Sequence, residues 1–274
     1  MTDNIVTPRD SASVLIIRDG EAHARHGTLQ ILMVKRHKNI RFAGGAYVFP
    51  GGKLDEADRA LEEDDQKNAK KNDIVKVAEE FWGLRYAALR EVFEETGLII
   101  GTIGGQPIDE NQRRIIDEKY RTAVLDGSMS LAGFLAKTDV ILDMGDCFPF
   151  AHWITPKAYP VRFDTRFFLC AAPLAQIPSP DGHEITQVEW MHPMTLVEES
   201  EGILMFPTMM NLKKLGQAKS VPEALKLLEN RDIVTVMPEI VKGEKATFRQ
   251  IPKEAGYDDV DQSRTRTAID LEKG

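Results

Sequence analysis

The stretch that predicts the fold of this chain is Arg90-Glu91-Val92-Phe93-Glu94-Glu95-Thr96-Gly97-Leu98. At about 100° per residue on a helix, its three glutamates fall within an arc of roughly 100°. Leu89, Val92 and Phe93 occupy the opposite arc, and Gly97 is a helix stop signal. The pattern therefore predicts a helix that docks one face on a core and gathers three carboxylates on the other.

Three carboxylates on one helix face repel one another and weaken the helix unless a cation lies among them. Arg90 lies one turn before Glu94 and can steady it through an i,i+4 ion pair. Ligands that offer only oxygen suit a hard cation such as Mg2+ or Mn2+. Because glutamates on a solvated helix face are common, the helix alone does not establish a metal site.

The residues upstream favour a metal site. Phe49-Pro50-Gly51-Gly52 precedes Asp55 and Asp58, and a Gly-Gly turn lets backbone groups approach a metal or a phosphate closely. Together with the helix, these residues resemble the Nudix box of the Nudix hydrolase superfamily, G-x5-E-x7-R-E-U-x-E-E-x-G-U, in which U is aliphatic. Arg90 to Leu98 match every fixed position of its second half, and Gly52 supplies the opening glycine.

The chain departs from the box at two places. Asp58 stands where the pattern has glutamate, and the segment from Arg59 to Leu89 replaces the short spacer before the arginine. A long insertion here is a feature of the mammalian coenzyme A diphosphatase subgroup, so the chain resembles that branch. The insertion leaves open whether Asp58 returns to its usual place.

Two further segments resemble that branch. Arg36, Arg41 and Gly45 precede Phe49-Pro50-Gly51-Gly52 with the spacing of the coenzyme A pyrophosphatase motif, although His37 stands where the motif has a small residue. Two arginines beside a metal-bound pyrophosphate would bind its phosphates in bidentate fashion. The alternative is that they are solvated basic residues after a strand.

The second segment runs from Trp153 to Phe168. Its Arg162 and Arg166 face the same way on an extended chain, where they would bind a substrate phosphate or brace the site. Nudix enzymes often take another acid from a later loop, and Glu184 is the candidate for that metal ligand or general base.

The resemblance implies a role for each of these residues. Glu91, Glu94 and Glu95 would hold Mg2+ or Mn2+ together with the Gly52 carbonyl, Glu91 would act as base, and Arg90 would orient the carboxylates. Asp58 would be a secondary ligand or base, and Glu184 a remote catalytic acid or base. The substrate-binding residues would be Arg36, Arg41, Gly45, Gly51, Arg162 and Arg166.

Apolar runs at Ser11–Arg18 and Leu29–Arg36 predict a β-hairpin. Further strands are predicted at 98–103, 147–154, 163–171 and 188–191, with a late strand pair at 233–236 and 240–241. Helices are predicted at 74–81, 85–96, 109–125, 130–137, 194–201, 205–215 and 221–230. This pattern fits an α+β and an α/β fold equally, and the resemblance implies the α/β class, an α/β/α sandwich with a mixed central sheet plus inserted and C-terminal helices.

The same reasoning predicts a Nudix hydrolase domain over residues 1–230, with insertions at about 59–84 and 104–146. Residues 231–274 would form a C-terminal extension that is partly flexible, because the chain is acidic and has little to bury from Tyr257 onward. The second insertion is a candidate for a substrate lid or for the surface of a homodimer, a common state of Nudix enzymes.

Composition bounds the partners and the compartment. A net charge of −8 argues against nucleic acid as a partner, because such binding depends on clustered lysine and arginine. Cys147 and Cys170 have no framework spacing, which favours reduced thiols and a cytoplasmic location. The N-terminus does not resemble a secretory signal and no long apolar run occurs, so no membrane association is expected.

The implied function is that of a hydrolase acting on a phosphoric anhydride, the diphosphate of a small nucleoside diphosphate derivative. The first candidate substrate is coenzyme A or acyl-CoA, split into 3′,5′-ADP and a phosphopantetheine, and ADP-ribose, NADH and nucleotide sugars are its rivals. A Nudix module that senses a nucleotide without chemistry is the alternative, against which the three retained glutamates argue. A structural dimerisation domain has no sequence feature of its own.

Overall fold

The computed structural model describes residues 5–40, 43–61, 83–200, 204–229, 231–242 and 247–257. Its strands are β1 (Arg9–His23), β2 (Gly27–Arg36), β3 (Tyr47–Val48), β4 (Gly51–Lys53), β5 (Gly101–Ile103), β6 (Gln106–Pro107), β7 (Val140–Leu142), β8 (Phe148–Ile154), β9 (Phe163–Ala171), β10 (Ile185–Met191), β11 (Thr235–Val236), β12 (Glu239–Lys242) and β13 (Thr247–Gln250). Its helices are α1, described over residues 56–61, α2 (Leu84–Thr96), α3 (Glu110–Leu125), α4 (Leu131–Thr138), α5 (Pro193–Glu199), α6 (Phe206–Leu215) and α7 (Val221–Lys226).

The central sheet has eight strands, in the order β10-β2-β1-β9-β8-β11, with β3 beside β2 and β4 beside β1. β1 pairs antiparallel with β2, as the predicted hairpin requires, and parallel with β9. β8 pairs antiparallel with β9. The sheet is therefore mixed, as predicted.

Both faces of β1 are buried, because successive side chains of a strand point to opposite faces. Ala12, Val14 and Ile16 belong to the core that includes the apolar residues of α2. Leu15 and Ile17 belong to the core on the other face, with residues of α5, α6 and α7. Helices thus cover the sheet on both sides, which confirms the predicted α/β/α sandwich.

The segment between α2 and β8 forms a small unit of its own against α2. β5 lies between β6 and β7 in a three-stranded sheet. α3 begins with a capping box in which the Asp109 carboxylate accepts the Gln112 N–H, and the Ser130 hydroxyl accepts the Gly133 N–H at the start of α4. Phe134 of α4 packs on Phe93 of α2, with 4.8 Å between ring centroids. The two predicted helices of this insertion are confirmed.

Several predicted elements have other limits or partners. The strand predicted over 98–103 is limited to β5, β10 begins three residues early at Ile185, and α7 ends at Lys226. The late strands do not pair with each other, because β11 lies parallel to β8 and β12 pairs with β13. Short strands find their partners through tertiary packing, which a local pattern does not specify. The helix predicted at 74–81 lies outside the described residues.

The described residues after 230 return to the main core. The Tyr257 side chain is 2% exposed, and its hydroxyl accepts the Trp153 indole N–H at 3.2 Å and donates to Asn211 Oδ1 at 2.6 Å. The expectation of little to bury from Tyr257 onward is therefore wrong for Tyr257 itself, because its ring packs beside Trp153, and the rest of that stretch lies outside the described residues. The domain boundary at residue 230 stays a prediction. Among the helices of the described segments, none combines the length and the apolar character that crossing a membrane requires.

Candidate functional site

Helix α2 carries the acidic residues, and other parts of the protein cover its acidic face as well as its apolar face. Arg90, Glu94 and Glu95 are each at most 7% exposed, because β4 and α1 lie across the acidic side. The helix ends as predicted at Gly97, whose φ of 69° is left-handed and whose N–H donates to the Phe93 carbonyl. The carboxylates are therefore held in the interior rather than on a solvated face.

Arg90 lies at the centre of an acidic cluster that consists of Asp58, Glu91, Glu94 and Glu95. Its Nε donates to both carboxylate oxygens of Asp58 at 3.2 Å, and its Nη1 donates to Glu91 Oε1 at 3.0 Å and Glu94 Oε1 at 2.9 Å. Its Nη2 donates to the Lys53 carbonyl at 2.9 Å. The predicted i,i+4 pair with Glu94 is confirmed. A planar guanidinium with five donors suits such a hub.

Asp58 reaches the cluster despite the long insertion. Its side chain is completely buried, and its Oδ2 also accepts the Asp55 N–H at 3.1 Å. Asp58 lies on the first turns of α1, which begins at residue 56, directly after β4. The insertion begins after Asp58, which α1 already holds in place. The length of the insertion therefore does not displace Asp58.

Two glycines of β4 allow the strand to lie close to α2. A Cβ on Gly52 would lie 2.2 Å from Glu91 Oε1, so the Glu91 carboxylate packs directly on the Gly52 backbone. Gly51 has a φ of 156°, and its N–H donates to Glu95 Oε2 at 3.0 Å. A larger side chain at position 52 would separate the strand from the carboxylates.

Arg36 connects the acidic cluster with a basic cavity. Its Nη1 lies 4.0 Å from Glu95 Oε1, and its Nη2 lies 3.7 Å from Glu184 Oε2. Arg36 also lines a cavity of about 420 Å³, whose wall consists of Lys35, Arg36, His37, Lys38, Asn39, Thr186 and Gln187. The predicted remote acid Glu184 therefore stands next to both the cluster and the cavity.

Burial and mutual repulsion raise the pKa of all three glutamates of α2. Burial raises the pKa of Glu91 to about 8, although Arg90 opposes the shift, and Glu94 adds to it. Burial also raises the pKa of Glu94 against the effect of Arg90. The pKa of Glu95 lies well above its usual range because of burial and the nearby Glu91. One guanidinium does not compensate this number of buried carboxylates.

The chemistry of the donor set fits a hard divalent cation, because carboxylates with a raised pKa gain strongly from a positive ion among them. Within the described part of the chain, however, no three acidic, histidine or cysteine side chains are grouped so as to hold a metal ion. The oxygens of Glu91, Glu94 and Glu95 face Arg90 and the backbone of the β4 glycines instead. The assignment of these residues and the Gly52 carbonyl as metal ligands stays a prediction.

The other predicted substrate-binding residues lie in the loop after β2 and around β9. Gly45 has a φ of 79°, and its N–H donates to the Arg36 carbonyl at 3.1 Å, so it helps to close the loop beside the cavity. Arg41 lies outside the described residues. The roles of Gly45 and Gly51 in substrate binding stay predictions.

Arg162 and Arg166 have protein partners. Arg162 donates to the carbonyls of Thr155 at 2.9 Å and Val6 at 2.7 Å. The Nη1 of Arg166 donates to Asp164 Oδ1 at 2.6 Å. These contacts are the ones expected for the bracing alternative, and a role in substrate binding stays a prediction.

Two groups of residues near the site were not predicted from the sequence. Lys35 and Lys38 line the cavity together with Arg36, and the run of four basic or titratable side chains at 35–38 is the signal that could have identified them. Arg113 and Arg121 of α3 donate to the carbonyls of Gly97 and Glu94 at the end of α2. Their spacing of eight residues places both on one helix face.

Comparisons with known proteins identify the family to which this chain is similar. A family model described as the NUDT19 Nudix domain matches residues 63–215. The chain is 27% identical over 220 residues to "Putative nudix hydrolase 7" of Caenorhabditis elegans, a match that covers 77% of this chain and 61% of that protein. It is 23% identical over 270 residues to "Acyl-coenzyme A diphosphatase NUDT19" of Xenopus laevis, covering 83% of this chain and 71% of that protein.

A solved structure supports the same relationship. The crystal structure of a NUDIX hydrolase from Alicyclobacillus acidocaldarius superposes with a TM-score of 0.61 and 26% identity, covering 81% of this chain and 96% of that one. The chain spans somewhat less than two thirds of the worm relative. Because the family model matches more than half of the chain, this protein belongs to the Nudix hydrolases, in the family of the NUDT19 Nudix domain.

Proposed function

We propose that this protein hydrolyses the diphosphate of a nucleoside diphosphate derivative in a reaction that depends on Mg2+ or Mn2+. The observation that carries the proposal is the buried surplus of carboxylates around Arg90, which adjoins a basic cavity through Arg36. A surplus of buried negative charge is stabilised by a divalent cation. Basic side chains next to such a cation are what a diphosphate requires.

In this mechanism, Glu91, Glu94, Glu95 and the Gly52 carbonyl would hold the divalent cation, which would screen the charge of the diphosphate and lower the pKa of a bound water molecule. Arg90, held by Asp58 and the Lys53 carbonyl, keeps Glu91 and Glu94 in place. Glu91, packed on Gly52, is the proposed base within the cluster. Glu184 is the second candidate base, since its side chain is 58% exposed and can reach a substrate from the solvent side. Phosphoryl transfer requires mainly positioning and charge neutralisation, which these residues supply.

We further propose coenzyme A or acyl-CoA as the substrate. The frog relative carries the name acyl-coenzyme A diphosphatase. Coenzyme A has a third phosphate on its ribose, and a cavity lined by Lys35, Arg36 and Lys38 offers more positive charge than a diphosphate alone needs. ADP-ribose, NADH and most nucleotide sugars contain the diphosphate but not this third phosphate. The cytoplasmic location and the homodimer stay predictions.

A substrate panel tests both parts of the proposal. Coenzyme A, an acyl-CoA, dephospho-CoA, ADP-ribose, NADH and a nucleotide sugar are incubated with Mg2+ or Mn2+, and the products are separated by chromatography. We expect coenzyme A or acyl-CoA to show a kcat/KM at least about tenfold above that of dephospho-CoA, the control that lacks only the third phosphate.

The other outcomes separate the alternatives. Turnover of ADP-ribose at the same efficiency as coenzyme A would remove the proposed substrate and keep the diphosphatase. Binding of these nucleotides without hydrolysis in either metal would favour the nucleotide-sensing module.

A further inference from the structure

Arg121 connects three segments that are separate in the sequence. It lies on α3, in the insertion after α2, and its side chain is almost completely buried. Its Nε donates to the Glu94 carbonyl at 2.8 Å, its Nη2 to the Ser179 carbonyl at 2.8 Å and its Nη1 to Ser179 Oγ at 3.1 Å. One guanidinium therefore joins the insertion, the last turn of the acidic helix and the loop between β9 and β10.

This loop, residues 172–184, is anchored to the end of α2 at the same place. The Ser179 N–H donates to the Thr96 carbonyl at 2.9 Å. Gln176 adds a second anchor, because its side-chain oxygen accepts the Ile99 N–H at 2.8 Å and its amide donates back to the Ile99 carbonyl at 3.0 Å. The β9–β10 loop is thus fixed by its residues 176–179 against the chain that leaves α2.

The end of the loop carries Glu184. Asp181 forms the final turn, since its Oδ1 accepts the Glu184 N–H at 2.7 Å and its Oδ2 the Ile185 N–H at 3.1 Å. The Glu184 carboxylate is more than half exposed, so side-chain packing does not hold it. The backbone of Glu184 is held on one side by β2, since its carbonyl accepts the His37 N–H at 2.7 Å and Ile185 pairs with Arg36. On the other side it is held by Asp181 of the loop. The direction of the Glu184 carboxylate toward Arg36, at 3.7 Å, therefore depends on the loop as well as on β2.

We propose that Arg121 is a positioning residue of the active site. It holds the β9–β10 loop against the end of α2, and through Asp181 of this loop it directs the Glu184 carboxylate toward Arg36. The insertion that carries Arg121 then acts as a brace of the active site, a role different from the lid or the dimer surface. The catalytic part of this inference rests on the proposed function.

Hydrogen exchange tests the brace without any substrate. We compare the metal-free wild-type protein with Arg121→Gln and with Arg114→Gln. Arg114 is a matched control on the same helix, because it is exposed and its partners among the described residues are Glu118 and Asn111 of α3. In Arg121→Gln the amides of 179–185 should exchange about tenfold faster or more, while the core amides of β1 stay protected. The control should exchange like the wild type.

Two outcomes of this experiment would overturn the proposal. One is unchanged exchange at 179–185 in Arg121→Gln. The other is faster exchange throughout the protein, which would mean a general structural role. Arg121→Lys is the second variant: it keeps the charge but cannot donate to Glu94 and Ser179 at once, so it should give an intermediate rate.

A kinetic cycle tests the connection with Glu184. The variants are Arg121→Gln, Glu184→Gln and the double variant, assayed on the substrate found in the panel. Arg121→Gln should lower kcat about tenfold with little change in KM, since a displaced catalytic group affects chemistry more than binding. In the Glu184→Gln background, Arg121→Gln should cause no further loss of kcat, because the carboxylate that Arg121 positions has already been removed.

The results also separate this inference from the proposed function. Additive effects of the two substitutions on kcat, or full activity of Glu184→Gln, would overturn the positioning role of Arg121. The diphosphatase proposal would stand, because Glu94→Gln tests it separately. Absence of turnover in the wild-type protein would overturn the diphosphatase proposal, and with it the catalytic part of this inference. The exchange data would then still decide whether Arg121 braces the loop.

Discussion

Two charge clusters of this protein pack against the central sheet, one buried and one partly buried, and they differ in their balance of charge. In the first, Asp58, Glu91 and Glu94 all pair with Arg90. In the second, Asp164 accepts hydrogen bonds from His152 at 2.5 Å and from Arg166 at 2.6 Å. In the first cluster several acids thus share one base. In the second, Asp164 has two partners of its own, although Arg166 also lies 3.6 Å from Asp10 Oδ1.

The pKa values follow this difference. Burial tends to raise the pKa of Asp164, but the hydrogen bond from His152 and the charge of Arg166 outweigh it, so the pKa lies below its usual value. In the Arg90 cluster, burial outweighs the arginine and the pKa of the glutamates rises. The charge of the Asp164 carboxylate is thus compensated by the chain itself, and the carboxylates around Arg90 are the ones that gain from a cation supplied by solvent.

The largest expected effect of this difference is on turnover. Glu94→Gln should reduce kcat by roughly 10²–10³-fold, the range seen when one group that stabilises charge in a reaction is removed. Asp164→Asn, the equivalent change in the second cluster, should leave kcat within about twofold, because its partners His152 and Arg166 have no proposed role in the chemical step and a substrate-binding role of Arg166 would affect KM. Steady-state assays with circular dichroism as a check on folding measure both. Near-full activity of Glu94→Gln would remove the proposed metal site.

The next effect is on stability. At pH 9, above the raised pKa of Glu91, Arg90→Gln leaves the Asp58, Glu91 and Glu94 carboxylates buried without their shared partner, so the free energy of unfolding should fall by about 3–5 kcal/mol. Urea denaturation measures it. Added Mg2+ should restore part of this loss, since a cation can take over the compensation. A loss below about 1 kcal/mol at this pH would mean that Arg90 does not compensate buried carboxylate charge.

The pH dependence of the two clusters should have opposite signs. The pKa of Glu91 is about 8 in the folded protein and about 4.5 when unfolded. Its contribution to stability is therefore complete below about pH 4.5 and is lost as the pH rises through 8. Between pH 5 and 9, in the presence of a chelator, the wild-type protein should lose stability relative to Glu91→Gln. If the free energies of unfolding of the two proteins changed with pH in parallel, the raised pKa of Glu91 would be contradicted.

The smallest expected effect lies in the second cluster. Because the folded pKa of Asp164 is lowered, its contribution is present above the unfolded pKa of about 3.8 and is lost as the pH falls through the folded value. Asp164→Asn should cost about 1–3 kcal/mol at pH 7, the usual value for hydrogen bonds to a charged group. The difference from the wild type should shrink below about pH 4 in urea titrations. A difference independent of pH would indicate a packing effect.

The sequence by itself determined the local features of the site. The helix of residues 84–96, its end at Gly97 and the pair between Arg90 and Glu94 all follow from spacing along one helix. The predicted hairpin and the strand pair β8–β9 likewise depend on patterns within short stretches. Such features are decided by residues a few positions apart, so the sequence pattern contains the information needed.

Only the tertiary structure decided which distant residues meet. It brings Asp58 under Arg90, seats Glu91 on Gly52, and joins Ser179 to the end of α2 through Arg121. It also decides that the acidic side of α2 is covered, and this burial is what raises the pKa of the glutamates. Burial and long-range contacts depend on how whole elements pack, and the spacing of residues along the chain does not specify that packing.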